Sequence, residues 1–252
     1  MALPTVEAVT DPAAGYLTAV PRVGPGVCEI CHGAPNADFL SCFSCARTFS
    51  QVSYPLRTVV PISLYEVPGQ LHHVLRGYKD SPSSQVRDKF SLLVAALLTR
   101  FMRRHGDCLI ASAGAGWDVI TAVPSGRARI APDPVVSSIH LSRELRSQYV
   151  SSLVRGPGPL AHRQASDKAF TVIQDLRGKR VLLVDDTFTT GAAMQSAASS
   201  LSTSGAHVVA GIVVGRVIDP GFNLETAALW SQAVGRPFDF ERCCLCSSGA
   251  TA

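Results

Sequence analysis

The second half of the chain alternates continuously apolar runs with segments of helical spacing. Four runs predict strands: WDVITAVPS, the short AFTVI, and KRVLLVDD and HVVAGIVVGRV, which are of the fully buried kind. Helical spacing in 133–150, 189–205 and 222–234 separates or follows them. Strands that alternate with helices indicate βαβ units and a parallel sheet. We therefore predict an α/β fold, in which ligands bind beyond the carboxyl ends of the strands.

The first half has a less regular pattern. RTVVPISLY predicts another strand, and 69–79 and 83–105 have the spacing and the terminal residues of helices. We interpret CLIASAGAGW as a connector, since its glycines match neither GxGxxG nor a loop ending in GK[ST]. Residues 1–25 lack periodicity and predict a mobile tail. The main domain is expected over 51–235, followed by a cysteine-containing tail over 236–252.

Composition and charge narrow the class of protein. With 252 residues, 46% apolar and 17% charged, the chain suits one α/β domain with a small appendage. A net charge of +4 favours anionic ligands only weakly and does not indicate direct nucleic-acid binding. The longest apolar run, FSLLVAALLTRF, is shorter than the ~20 residues of a membrane span. The start of the chain lacks the pattern of a signal peptide. We expect a cytoplasmic protein without a membrane partner.

Six of the eight cysteines form CxxC pairs. In a chain without a signal peptide, this spacing favours metal over disulfides. Ten residues separate the Cys28/Cys31 pair from the Cys42/Cys45 pair, and the two pairs can enclose one tetrahedral ion, which predicts a structural zinc module over 26–50. The third pair, Cys243/Cys246, either binds a second ion or replaces one of the first two pairs. Cys108 is interpreted as a buried structural thiol.

The stretch VLLVDDTFTTGAAM, residues 181–194, carries the most specific chemistry. Free amides at a helix N-terminus, with threonine hydroxyls beside them, form a cradle for phosphate. Gly191 allows the backbone to approach the anion closely. Asp185 and Asp186 do not suit phosphate but suit diol hydroxyls or Mg²⁺. Phosphate, diol and metal together indicate a ribose phosphate.

VLLVDDTFTTGAA resembles the phosphoribosyl-pyrophosphate (PRPP) signature of type I phosphoribosyltransferases. The order of the CxxC pairs, LRGYKD, ITAVPSGRAR and this loop resembles, more narrowly, the ComF-like amidophosphoribosyltransferase-related proteins. The resemblance implies the type I phosphoribosyltransferase fold, a parallel-sheet core with flanking helices, plus an N-terminal zinc module. SGRARIAPDPVV stands where that family usually carries an RGFNQ-like motif, so the acceptor is not implied.

The resemblance also implies roles for individual residues. Asp185 and Asp186 would hold the ribose hydroxyls, directly or through Mg²⁺, and with Arg127 they are the expected catalytic residues. The 5′-phosphate would be held by Thr187, Phe188, Thr189, Thr190, Gly191 and Ala192. The pyrophosphate loop would consist of Val123, Pro124, Ser125, Gly126 and Arg127, with the Arg127 guanidinium as a bidentate donor.

Further basic residues have two interpretations. His162, Arg163 and Lys168 lie in a stretch that is either a mobile loop closing over PRPP or a solvated basic loop. Lys79, in GYKD, is either a phosphate contact or a solvated lysine at a helix end.

Two functions follow from the resemblance. The first is a Mg²⁺- and PRPP-dependent enzyme that transfers phosphoribose to or from an unidentified nucleobase or amine, with pyrophosphate as leaving group. The second is a non-catalytic PRPP-binding accessory protein that acts with protein partners in competence and DNA uptake. Release of pyrophosphate distinguishes them.

Overall fold

The computed structural model describes residues 4–36, 38–125 and 133–246. A short 3-10 helix, Asp11–Gly15, follows the first α-helix. The α-helices are α1 (Val6–Thr10), α2 (Phe43–Phe49), α3 (Gln70–Asp80), α4 (Ser84–Ala113), α5 (Pro134–Leu141), α6 (Arg143–Gln148), α7 (Ala192–Thr203) and α8 (Leu224–Val234). The strands are β1 (Val59–Tyr65), β2 (Val119–Ala122), β3 (Leu153–Arg155), β4 (Phe170–Val172), β5 (Arg180–Phe188) and β6 (His207–Val217).

Four strands form a parallel sheet in the order β1-β6-β5-β2. Ala122, the last residue of β2, pairs with Val184, so the chain after β2 emerges beside Asp185. The remaining strands, β3 and β4, form a separate antiparallel pair. The predicted α/β class, with a parallel sheet and flanking helices, is confirmed.

Both faces of the sheet are covered, which explains why its strands are continuously apolar. On one face, Leu182 packs in a cluster with Leu97 of α4 and Ile139 of α5. On the other face, Leu183 packs in a cluster with Ala197 of α7 and Cys31 of the cysteine module. Burial of each leucine stabilises the fold by roughly 1.5–3 kcal/mol. The two clusters fix β5 between them and thereby hold the acids at its end in place.

Three predicted elements of the main domain differ in extent from the sequence predictions. The predicted connector after residue 107 is the last part of α4, which ends at Gly114 in the left-handed conformation, φ +71°. The single helix predicted over 133–150 is two helices, because the extended Ser142 separates them and its hydroxyl caps α6. Strand β5 continues past both acids to Phe188, because pairing with β6 extends to Arg216.

The N-terminal residues, expected to form a mobile tail, pack against the domain from residue 4 onward. Ala13 and Leu17 are buried in the core cluster that contains α4. The Arg100 Nη1 of α4 donates hydrogen bonds to Thr10 Oγ1 at 2.7 Å and Asp11 Oδ1 at 2.5 Å. A five-residue helix is too short to show a period in the sequence, which explains why α1 was not predicted.

The lengths and apolar character of the described helices can be compared with the requirements of a membrane span. None of them combines the length and the apolar character that crossing a bilayer demands.

Candidate functional site

The two acids of β5 lie in different environments. Asp186 is buried, accepts a hydrogen bond of 2.5 Å from the Tyr78 hydroxyl, and forms an ion pair with Lys79. Both partners belong to the last turn of α3. Asp185 is half-buried, and its Oδ1 accepts a hydrogen bond of 2.8 Å from the Asp186 amide. Asp186 is thus already engaged by two donors of α3, whereas the hydrogen bond to Asp185 comes from the neighbouring amide. Both acids line the adjoining cavity described below.

The electrostatics of this pair favour the arrival of a cation. Burial, and then the charge of Asp186, raise the pKa of Asp185 well above its usual range, although Lys79 opposes the shift. Burial and the same Asp186 charge raise the pKa of Tyr78, so its hydroxyl keeps its proton and remains a donor. Among the described residues that line the site, Lys79 is the one basic side chain, and one positive charge does not balance two adjacent carboxylates. A divalent cation would therefore be favourable beside Asp185.

The loop that follows, Thr187 to Ala192, has the features of an anion cradle; we call it the phosphate loop. Its Gly191 has φ +81° and is the N-cap of α7, so no side chain accepts bonds from the first-turn amides. A Cβ at Gly191 would lie 2.5 Å from the Phe188 ring, which is buried beneath the loop. Only glycine fits here. Thr189 is exposed, whereas the Thr190 hydroxyl accepts a hydrogen bond of 3.3 Å from the Arg163 amide.

Arg216, for which the sequence analysis predicts no role, donates hydrogen bonds to backbone carbonyls of the phosphate loop. Its guanidinium is buried, and its Nη1 donates to the carbonyls of Thr189 at 2.7 Å, Phe188 at 3.3 Å and Val217 at 2.6 Å. The guanidinium carbon also lies 5.1 Å from the centre of the Phe188 ring. The signal that would have found this residue is a single arginine inside the otherwise apolar run HVVAGIVVGRV.

The predicted pyrophosphate loop begins beside the same acids. The Val123 amide donates to the Val184 carbonyl at 2.9 Å, and the Ser125 amide donates to Asp133 Oδ2 at 2.7 Å. Asp133 also caps α5 by accepting from the Val135 amide at 3.0 Å. Asp133 therefore links Ser125 to the start of α5. Gly126 and Arg127, predicted as part of this loop, lie outside the described residues.

A cavity of about 230 Å³ joins these parts. We call it the site cavity. Its lining includes Lys79, Val123, Pro124, Ser125, Asp133, Asp185, Asp186, Thr187 and Thr189. The structure thus brings together residues that the sequence predicted from three separate stretches: GYKD, VPSGR and VDDTFTTGA. Tyr78 and Asp133 also belong to the site. They lie in LRGYKD and SGRARIAPDPVV, two stretches that the sequence analysis quotes without predicting a role for either residue.

The basic stretch 156–169 forms a hairpin extension of β3 and β4. Gly158 donates to the Lys168 carbonyl at 2.7 Å, and Asp167 accepts hydrogen bonds from Ser53 and Ser199. Arg163 reaches the cysteine module, where its Nε donates to Ser44 Oγ at 3.2 Å. His162 lines a larger cavity of about 390 Å³, which shares Thr189 with the site cavity. Lys168 is exposed and is not among the described residues that line either cavity.

The first two CxxC pairs come together as one cluster. The sulfur atoms of Cys28, Cys31, Cys42 and Cys45 all lie within 4.8 Å of one another, and all four residues are buried. The Cys31–Cys42 sulfur distance is 3.7 Å. A tetrahedral zinc site with Zn–S bonds of about 2.3 Å requires sulfur separations of about 3.8 Å. The four thiols therefore fit one tetrahedral ion, in agreement with the predicted cysteine-rich module.

The cysteine module is in contact with the phosphate loop through Arg216. Burial lowers the pKa of the Arg216 guanidinium, but the neighbouring cysteines, Cys31 above all, outweigh burial and raise it above its usual value. A Cβ at Gly33 in the module would lie 2.9 Å from Arg216 Nη2. The arginine therefore fills the space between the thiol cluster and the loop carbonyls.

Two solved phosphoribosyltransferases resemble parts of this chain. A phosphoribosyltransferase from Corynebacterium diphtheriae is 21% identical, with a TM-score of 0.33, over 57% of this chain and 82% of the other. A purine phosphoribosyltransferase from Pyrococcus horikoshii Ot3 is 19% identical, with a TM-score of 0.28, over 48% and 90%. At TM-scores this low, neither likeness bears on what this chain binds. No family model and no curated protein matches the chain.

Proposed function

We propose that the protein binds Mg-PRPP in the site cavity and transfers its phosphoribosyl group to or from a nitrogen acceptor. One observation carries the proposal. The uncapped start of α7, with its Gly191 turn, lies at the same cavity edge as the Asp185 carboxylate and the Ser125 segment. An anion cradle beside a carboxylate fits a sugar phosphate better than it fits a phosphate alone.

Each part of PRPP has a counterpart in this arrangement. The 5′-phosphate accepts hydrogen bonds from the first-turn amides of α7 and from the hydroxyls of Thr189 and Thr187. The ribose hydroxyls donate to Asp185, the less engaged of the two acids. Asp186 fixes Lys79 at the cavity wall through their ion pair. The diphosphate lies towards Ser125, where the sequence predicts Arg127 as a donor.

The residues present fit Mg²⁺. This ion is usually held by one or two carboxylates together with substrate phosphates and water. Asp185 supplies the carboxylate, and Thr187 and Ser125, which carry hydroxyl groups, line the same cavity. When bound, Mg²⁺ would neutralise charge on the diphosphate leaving group.

The reaction breaks the bond from the anomeric carbon to the pyrophosphate oxygen and forms a bond from that carbon to the acceptor nitrogen. Pyrophosphate leaves with the electron pair, and the nitrogen loses a proton if it carries one. Positive charge develops on the sugar, as in glycoside cleavage. The carboxylates of Asp185 and Asp186 stabilise that charge because hydrogen bonds and the ion pair with Lys79 already fix their orientation.

Calorimetric titration with Mg-PRPP and a pyrophosphate-release assay together test the function. We expect the parent protein to bind Mg-PRPP, and Asp185→Asn to lose at least tenfold in affinity while unfolding at a temperature no lower than that of the parent, because the amide removes a buried charge beside Asp186. The matched control is Asp175→Asn, an exposed acid that pairs with Arg177 away from the cavity. Equal affinity of Asp185→Asn and the parent for Mg-PRPP would contradict the proposed binding site.

Catalysis is tested by adding purine and pyrimidine bases and simple amines to the Mg-PRPP complex. Pyrophosphate release with one acceptor supports transfer. Binding without release from any acceptor would instead support the accessory function, in which the chain binds PRPP and acts with protein partners.

A further inference from the structure

We propose that His105, Cys108, Cys243 and Cys246 form a second, structural zinc site that fastens the C-terminal segment, residues 235–246, to α4. This inference is independent of the proposed function. The CxxC pair of the C-terminal segment has two interpretations in the sequence, a second ion or a replacement for an N-terminal pair. The structure places it away from the N-terminal pairs, in a separate group with His105 and Cys108.

The four residues come from two parts of the chain. His105 and Cys108 are three residues apart on α4, so they lie on one face of that helix. Cys243 and Cys246 lie in a turn of the C-terminal segment, which packs over the same face. One potential ligand atom from each residue lies within 4.8 Å of the others.

The distances match a tetrahedron. The Cys246 sulfur lies 3.5 Å from that of Cys243, 3.8 Å from that of Cys108 and 3.7 Å from His105 Nδ1. With Zn–S bonds of about 2.3 Å and Zn–N bonds of about 2.0 Å, tetrahedral edges are about 3.8 Å for S–S and about 3.5 Å for S–N. The sulfur separations are far longer than the ~2.05 Å of a disulfide bond. A disulfide between any two thiols would also leave the third thiol and the imidazole without a role.

Neighbouring groups orient the ligands. His105 Nε2 lies 2.9 Å from the Phe240 carbonyl, so it carries the proton and donates it, which leaves Nδ1 free as a neutral ligand. The Cys243 amide donates to the Cys246 sulfur at 3.2 Å, and the Leu245 amide donates to the Cys243 sulfur at 3.4 Å. Amide donors of this kind stabilise thiolates, the form that binds metal.

The chemical types of the four ligands determine which metal binds and what role it has. Three thiolates and one imidazole in tetrahedral positions are a set that zinc prefers. All four positions are filled by protein ligands, so no place is left for a water molecule or substrate. The site is therefore structural.

The structural role of the site follows from the segments that contact α4. The C-terminal segment has little regular structure, and its other attachments include Phe240 against the Arg100 guanidinium at 3.7 Å and the Glu241–Arg104 ion pair at 3.2 Å. Arg100 also binds Thr10 and Asp11 of the N-terminal helices. A metal bound here would thus join both ends of the described chain to one helix, and metal binding would contribute directly to folding.

Zinc content per chain tests the site. The full chain, purified without added metal, is analysed by elemental mass spectrometry beside Cys108→Ser, Cys108→His and Cys244→Ala. We expect two zinc ions in the parent and one in Cys108→Ser. Cys108→His replaces one ligand type by another and should retain two. Cys244→Ala, which removes a buried neighbouring cysteine outside the ligand group, should also retain two.

The identity of the ligands is tested by replacing zinc with cobalt. The visible bands of the second ion should be those of a tetrahedral ion with mixed sulfur and nitrogen ligands, and they should disappear in His105→Gln while the bands of the first ion persist. One zinc in the parent, unchanged in Cys108→Ser, would overturn the proposal. Mass spectrometry that shows Cys108 in a disulfide in the freshly purified protein would also overturn it.

Discussion

The Tyr78 hydroxyl donates a hydrogen bond of 2.5 Å to the buried Asp186 carboxylate. Hydrogen bonds to charged groups contribute about 1.5–3 kcal/mol, and they matter more when the charge has few other donors. Tyr78→Phe should therefore lower the free energy of unfolding by about 2 kcal/mol, as measured by urea denaturation. Tyr65→Phe is the matched control, because the Tyr65 hydroxyl lies 3.5 Å from Thr187, at the limit of a hydrogen bond.

A double-mutant cycle separates this hydrogen bond from packing. In an Asp186→Asn background the charge is absent, so Tyr78→Phe should cost distinctly less than in the parent. Equal costs in both backgrounds would show that the phenol acts only by filling space.

The exposed ion pair between Asp118 and Arg180 predicts a defined pH dependence. Arg180 donates to Asp118 through its side chain and its amide, and these bonds lower the pKa of Asp118 to about 2. The folded-state pKa is depressed, so the stabilisation is present above the ordinary aspartate value of about 3.9 and is lost as the pH falls through about 2. Asp118→Asn should melt slightly below the parent at pH 6, and the two should converge near pH 2. The difference should shrink in high salt, because the pair is exposed. A difference that grows on acidification would contradict the assignment.

The planar guanidinium of Arg216, and not only its charge, should keep the phosphate loop in its observed conformation. Arg216→Lys keeps a cation beside the cysteine module but cannot donate to the Phe188, Thr189 and Val217 carbonyls together. We expect Mg-PRPP affinity to fall about tenfold or more, equivalent to about 1.4 kcal/mol for the loss of loop order. Arg236→Lys, at an exposed position, is the control. If Arg216→Lys binds Mg-PRPP like the parent, the loop holds its shape without the guanidinium fork.

The elements that the sequence predicted well are those with a local signal. Strand β6 was predicted with its observed bounds, because a strand buried on both faces is apolar over most of its length. The four N-terminal cysteines were grouped correctly, because their spacing alone brings them within reach of one ion.

The features that were not predicted depend on tertiary contacts. Cys108 and Cys246 are 138 residues apart and meet only because the C-terminal segment returns to α4. The unequal environments of Asp185 and Asp186 arise from α3, whose position no local pattern gives. The continuation of α4 through residue 113 was missed because glycines at 106 and 114 look alike in sequence. In the structure only Gly114 takes the left-handed conformation that ends a helix.

Gly191 allows backbone strain to be separated from steric fit. At φ +81° any L side chain costs about 1–2 kcal/mol, and at Gly191 the new Cβ would also lie 2.5 Å from the Phe188 ring. Gly178 has a similar φ of +69°, but nothing lies within 4 Å of a Cβ placed there. Gly178→Ala should therefore lower the free energy of unfolding by the backbone cost alone, about 1–2 kcal/mol. Gly191→Ala should lower it further, because the ring and the loop must move apart.

The same pair of variants tests the phosphate loop. Gly178→Ala should bind Mg-PRPP like the parent, whereas Gly191→Ala should lose at least tenfold in affinity, because the displaced turn changes the direction of the first amides of α7. Phe188→Leu combined with Gly191→Ala removes the clash but leaves the strained backbone. Phe188→Leu alone also costs stability, because the ring is buried. Measured against Phe188→Leu, the added Gly191→Ala should therefore cost about as much as Gly178→Ala costs in the parent. Calorimetry and urea denaturation on these five proteins decide the matter, since a clash without a role in binding would lower stability in Gly191→Ala and leave its PRPP affinity unchanged.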